Sequence, residues 1–175
     1  YNVPKVLVLS TYFVYGASAY NPSLLDETTP LKASELTMDL VDSVELENLS
    51  TIYLYKHPEL NITILRPCNI AGPGVRNTFS LLLSEKRSPV LWGFSPLMQF
   101  IHIDDMRDAI CTAFEKNIPG IYNIAPGDYI GFQDAIKAAG STPIPIPSIP
   151  PKLTESISRF LKWKSFPPYL INYFK

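Results

Sequence analysis

The sequence predicts an α/β protein built on a parallel or mixed sheet, and three observations point there. Short β-branched apolar runs recur, of the kind a parallel sheet buries on both faces. Segments with helical apolar spacing separate them, and Gly- and Pro-rich loops punctuate the joins. The 175 residues, 46% hydrophobic and 18% charged, suffice for one real core and not for two comfortable domains.

"KVLVLS" (Lys5 to Ser10) is the first such strand, and residues 16–34, rich in Asn, Pro, Asp, Thr and Ser, read as a loop. From Ala33 to His57 the spacing turns helical: Leu36, Leu40, Val41, Val44, Leu49, Ile52 and Tyr53 fall mostly three or four apart, with Ser34 at the N-cap position. Pro58 stops this helix, and Leu60 to Arg66 form a second strand. After a Pro67–Gly74 loop come a short helix over Thr78 to Glu85 and two strands, "PVLWG" and "QFIHI". Trp92, Phe94, Leu97 and Phe100 are expected in the core or a pocket wall. Asp104 is the expected cap of "DDMRDAICTAFEK", whose Met106, Ala109, Ile110, Ala113 and Phe114 share one face. "GIYNIA" is another strand, and "GFQDAIKAAG" a small helix ended by Gly140. "TPIPIPSIPP" is extended, as a sheet edge or a polyproline segment, and one more amphipathic helix is expected over 152–164.

Composition narrows the function classes. A net charge of −1 with no run of like charges argues against a nucleic-acid partner. No apolar run reaches the ~18 residues of a membrane span, and no signal peptide is visible, so a cytoplasmic protein without membrane contact is expected. Cys68 and Cys111 form neither a disulfide framework nor a metal-ligand spacing, and no metal is expected. Tyr1 opens the chain almost directly on a strand, which suggests a sequence that begins in mid-fold. In such a sheet a ligand sits beyond the carboxyl ends of the strands. Two ends stand out, Leu9-Ser10-Thr11 and Pro67-Cys68-Asn69.

Five pieces in register then carry a resemblance: "STYFVYG" (Ser10–Gly16), "DETTP" (Asp26–Pro30), "LNITILRPCNIAGPG" (Leu60–Gly74), "FIHIDDMRDAI" (Phe100–Ile110) and "GIYNIAPGD" (Gly120–Asp128). Together they resemble the extended short-chain dehydrogenase/reductases, the NAD-dependent epimerase/dehydratases, many of which act on nucleotide sugars. The resemblance covers the later part of such a protein. It implies a partial Rossmann-like parallel sheet, whose N-terminal dinucleotide half is missing from this sequence, with a small C-terminal substrate-binding lobe. As one α/β unit over 1–175, residues 1–70 would be the later part of the Rossmann-type domain. Residues 71–175 would be mostly the lobe, with segments returning to the sheet. No G-x-G-x-x-G is present to hold a pyrophosphate.

The resemblance implies NAD or NADP as cofactor, a small-molecule substrate and a homodimer through helix 33–57. It makes Thr11 the hydroxyl that polarises the substrate oxygen. Leu9, Ser10, Pro67 and Cys68 would line the cofactor, while Asn69 and Met98 would face the substrate alongside Thr11. Met98 stands where nucleotide-sugar enzymes of the family often carry a pyrophosphate-pairing Arg. Arg66 is expected as an ion-pair or loop partner, and His102 as a structural residue. The family's Tyr-x-x-x-Lys pair, in which the cation favours the phenolate, falls on Asp39 and Ser43, with Glu45 and Glu47 in register. Neither side chain of that pair is there. Three readings stand: an inactive relative that still binds a dinucleotide, an enzyme whose acid/base group lies elsewhere, or a divergent stretch out of register. The expected function is an NAD(P)-dependent epimerase/dehydratase-like oxidoreductase, active or catalytically impaired, acting on a small or sugar-type hydroxyl/keto substrate. Its alternative is a non-catalytic dinucleotide-binding or scaffold protein of the same fold.

Overall fold

The computed structural model describes residues 3–17, 20–33 and 40–146. In chain order the elements are β1 (Lys5–Leu9), a 3-10 turn (Tyr12–Tyr15), α1 (Val41–Lys56), β2 (Asn61–Pro67), β3 (Asn69–Ala71), α2 (Thr78–Ser84), β4 (Arg87–Leu91), β5 (Leu97–Met98), β6 (Phe100–His102), α3 (Ile103–Lys116), β7 (Gly120–Ile124), β8 (Ile130–Gly131), α4 (Phe132–Ala138) and β9 (Thr142–Ile146). They divide into two compact units, residues 1–70 with 100–126 and residues 71–99 with 127–175.

The first unit holds a three-stranded sheet in the order β1-β2-β7, parallel throughout, with Leu9 opposite Leu65 and Arg66 opposite Asn123. Parallel neighbours require crossovers, and α1 lies between β1 and β2, as α3 does before β7. Alternation along β2 sends successive side chains to opposite faces. Leu65 packs with Met106 and Ala113 of α3, and with Leu7, Ile110 and Tyr122 around them. Its neighbour Arg66 turns to the other face and meets Glu47 of α1. Helices therefore cover both faces, as a doubly wound sheet requires. β3 pairs with β6 beside it.

Two helices differ from expectation. The cap of α3 is His102, whose extended backbone and ring Nδ1, accepting from the Asp104 N–H at 3.2 Å, do the work assigned to Asp104. Asp104 and Asp105 sit in the first turn instead, where carboxylates face the positive helix end. In α1 the buried stripe is Val44, Glu47 and Ser50, while Leu46, Leu49, Ile52, Tyr53 and Tyr55 are exposed. A buried charge pair at Glu47 fixes which face turns inward and leaves an apolar row outward. The expected Ser34 cap, and the helix up to residue 39, lie outside the described residues, as does the expected helix over 152–164.

In the second unit "TPIPI" is strand β9, parallel to β4 with Ile146 opposite Leu91. Both strands are edges of this two-stranded ribbon, where a Pro without an N–H is tolerated. β5 and β8 pair antiparallel. Phe79 and Phe132 meet edge to face at 6.3 Å, and the buried Ser88 hydroxyl bonds the Leu82 carbonyl and the Ser141 hydroxyl. Trp92 and Leu97, expected in the core, are 75% and 69% exposed. The short β5 strand buries Met98 on one face and so turns Leu97 to the other. Among the described residues no helix is long and apolar enough to cross a membrane, and no cluster of His, Cys, Asp and Glu could hold a metal.

Candidate functional site

β1 ends at Leu9, and the Ser10 N–H still donates to the Leu65 carbonyl at 2.8 Å, so the strand tip stays registered on β2 for one more residue. Thr11 then leaves the sheet in an extended conformation and caps the 3-10 turn, its Oγ1 accepting from the Phe13 N–H at 3.4 Å. The Tyr12 hydroxyl donates to Oδ1 of the buried Asn69 at 3.0 Å. This contact ties the two strand ends singled out in the sequence to one another. Gly16 closes the turn at φ +72, where a Cβ would stand 3.0 Å from the backbone of Lys32 and Ala33. That close approach explains why the turn ends in glycine.

Behind the tips runs a buried polar network. Ser10 Oγ donates to Glu47 Oε2, and Arg66 Nε donates to Glu47 Oε1. Arg66 also donates to the Tyr15 hydroxyl at 2.7 Å and to the Glu27 carbonyl at 3.1 Å. The Tyr15 hydroxyl donates in turn to Asn123 Oδ1 at 2.6 Å, and the Arg66 guanidinium lies 4.9 Å from the centre of its ring. Asn123 completes the network: its backbone N–H donates to the Glu27 carboxylate at 2.8 Å and its amide to the Leu25 carbonyl at 3.0 Å. Burial raises the Tyr15 phenol above its ordinary range, with the Arg66 hydrogen bond pulling the other way. The phenol is a neutral donor at physiological pH.

The expected site residues fall as follows. Ser10 spends its hydroxyl on Glu47, and Leu9 is half exposed at the strand tip. Pro67 closes β2 opposite Ile124, and the Cys68 N–H donates to the Ile124 carbonyl at 2.9 Å. Burial pushes the Cys68 thiol up to about 11, which makes it a poor nucleophile. Ser43 lies on α1 one turn before Glu47, and Asp39 lies outside the described residues. Met98 belongs to the second unit and is buried there. Thr11 and Asn69 come together through Tyr12. Arg66 is both ion-pair and loop partner. Sequence reasoning passed over Tyr15, Tyr12, Asn123 and Glu27 as site residues. A tyrosine directly before a positive-φ glycine, and an Asn ending an apolar strand, were the available signals.

Chemically, the strand ends bring together the Thr11 hydroxyl, which could polarise a carbonyl, with the Tyr12 phenol and the Asn69 carboxamide, the last two hydrogen-bonded to one another. Among the described residues of α1, no lysine follows a tyrosine at the Tyr-x-x-x-Lys spacing; Lys56 follows the exposed Tyr53 by three residues, in the last turn.

A model of the NAD dependent epimerase/dehydratase family matches residues 1–125, and the chain belongs to that family, whose members bind NAD. Uncharacterised proteins of Mycobacterium tuberculosis and Mycobacterium bovis are 27% identical over 158 residues, which is 90% of this chain and 42% of each relative. The chain thus spans less than half the length of these relatives. Among solved structures, a UDP-glucuronic acid 4-epimerase from Bacillus cereus, in complex with a fluorinated UDP-glucuronic acid and NAD, is 25% identical with a TM-score of 0.66. It covers 83% of this chain and 49% of its own. The dTDP-glucose 4,6-dehydratase of Bacillus anthracis, in complex with NAD, shares the fold at 18% identity and a TM-score of 0.67, with 83% and 50% covered.

Proposed function

We propose that this chain carries the reaction-centre and substrate-side part of an NAD(P)-dependent epimerase/dehydratase-type oxidoreductase. Its substrate is a small, sugar-like molecule with a hydroxyl or keto group. Thr11 polarises the reacting oxygen, Leu9, Ser10, Pro67 and Cys68 border the nicotinamide, and Asn69 belongs to the substrate side. Catalysis is impaired. The observation that carries this is the buried pair of Glu47 with Arg66. It holds α1 against β2 and supports the reading, carried by the resemblance, in which Ser43, one turn earlier on the same helix, takes the position of the family's lysine. A hydroxyl there lends no charge to lower a phenol, and Asp39 supplies no phenol to lower. The nicotinamide cofactor would supply the hydride acceptor; this chain's residues orient the oxygen and exclude water.

A second reading, a non-catalytic dinucleotide-binding or scaffold protein, is favoured by the exposed apolar row of α1. In either reading the row suits a homodimer through residues 33–57, because an apolar helix face gains by burial against its own copy. The family is typically cytoplasmic, and we place this protein there too. Native mass spectrometry of the protein from its natural source tests the reading. A dimer carrying one dinucleotide mass per chain is expected, and the adduct mass distinguishes NAD from NADP. A monomer that takes up neither dinucleotide when both are added would overturn it.

A further inference from the structure

In the sheet order β1-β2-β7, β7 has β2 on one side and, among the described residues, no further strand on the other. Its sequence over 120–124, Gly-Ile-Tyr-Asn-Ile, holds no charge and no proline. A bare strand edge of that composition is a template on which another chain can pair. The Ile124 carbonyl accepts from the Cys68 N–H on the β2 side, so by alternation Asn123 turns its main-chain groups to the outer side.

That outward N–H is already taken. It donates to the Glu27 carboxylate at 2.8 Å, while the Asn123 amide donates to the Leu25 carbonyl at 3.0 Å. Glu27 is anchored in turn through its own carbonyl, which accepts from the buried Arg66 at 3.1 Å. The exposed turn around it caps itself. Asp26 Oδ1 accepts from the Thr28 N–H at 2.9 Å and from the hydroxyls of Thr28 and Thr29, and the Thr29 N–H closes on the Asp26 carbonyl at 3.1 Å. Residues 25–27 therefore lie along the open side of β7, within the first unit. They put a carboxylate where the backbone of an added strand would have to sit, and charge at an edge opposes such pairing.

We propose that residues 25–27 are an edge guard, an autoinhibitory strap whose Glu27 carboxylate keeps β7 from pairing with a second copy of this chain. A second copy is the occupant because the strand is self-complementary. Two β7 edges can run antiparallel about a two-fold axis, each offering the same residues to the other. The inference stands apart from the oxidoreductase reading, since neither cofactor nor substrate enters it.

The whole chain is compared as parent, Glu27→Gln, Glu27→Ala and Asp26→Ala, by light scattering for mass and by hydrogen exchange at the Asn123 N–H. Glu27→Gln keeps an acceptor oxygen and should match the parent's mass. In dilute solution Glu27→Ala should exchange Asn123 about tenfold faster than the parent, one hydrogen bond's worth. As its concentration rises, its mass should double relative to the parent and the Asn123 exchange should slow again, because pairing covers that N–H. Asp26→Ala, which loosens only the exposed turn, should move both readouts the same way and decides the matter if Glu27→Ala does not fold. A freed Asn123 with the parent's mass at every concentration would overturn the proposal. So would a doubled mass that leaves Asn123 exchanging fast, since the contact would then lie elsewhere, or unchanged exchange in both alanine variants.

Discussion

Arg66 of β2 donates its guanidinium Nε to Glu47 of α1 with the two side chains 3% and 0% exposed. A charge pair so placed is worth little over an apolar pair of the same shape, yet breaking it strands the surviving charge. Glu47→Ala is therefore expected to cost about 3–5 kcal/mol of unfolding free energy. The double change Glu47→Leu/Arg66→Met should cost less than either single change. Urea denaturation of Glu47→Ala, Arg66→Met and the double variant checks this. A single-variant loss under about 1 kcal/mol would mean that water reaches the pair.

Gly16 is held at φ +72 against the backbone of residues 32 and 33. Gly16→Ala adds a Cβ to a conformation L-residues avoid and pushes it into main-chain atoms that cannot rotate away. It should destabilise by roughly 1–3 kcal/mol and detach the 20–33 loop. Hydrogen exchange at the Asn123 N–H, which that loop protects through Glu27, reports the detachment. Unchanged exchange would contradict it.

Tyr15 makes stability pH-dependent on the alkaline side. Its pKa is raised in the fold, chiefly by burial, so the folded state holds the phenol proton more tightly than the unfolded chain. That contribution is fully present below the unfolded value of about 10 and is lost as pH rises through the folded value. Tyr15→Phe should abolish this alkaline decline. At neutral pH it should cost about 1–3 kcal/mol by leaving Arg66 and Asn123 without their shared partner. Denaturation midpoints measured from neutral pH upward test both halves, and parallel curves for parent and variant would refute the linkage.

Much of this architecture was legible because local pattern and tertiary role agree. The β-branched run at Lys5, the strand ending at Arg66 and the apolar face of Met106 and Ala113 all do what their periodicity says. The α1 helix reads otherwise. Its apolar residues outnumber one stripe, and the inward face is chosen by a carboxylate, Glu47, whose partner lies nineteen positions away on a strand. No hydropathy pattern reveals that choice. Leu97 faces outward for a related reason, since in the two-residue strand β5 alternation rather than hydrophobicity decides which side chain is covered. At the site, Thr11 and Asn69 were visible as strand ends. The phenol joining them was not, because a hydrogen bond across 57 residues leaves no mark on spacing.

The account turns on position 43. NADH formation from NAD+ is to be measured with UDP-glucose and with free glucose as probes, comparing the parent with the Asp39→Tyr/Ser43→Lys variant. The account expects turnover in the double variant that exceeds the parent by the ~10²–10⁴-fold of a restored acid/base group. A parent that turns over as fast as the double variant would contradict it, as would a double variant that remains silent while binding NAD+.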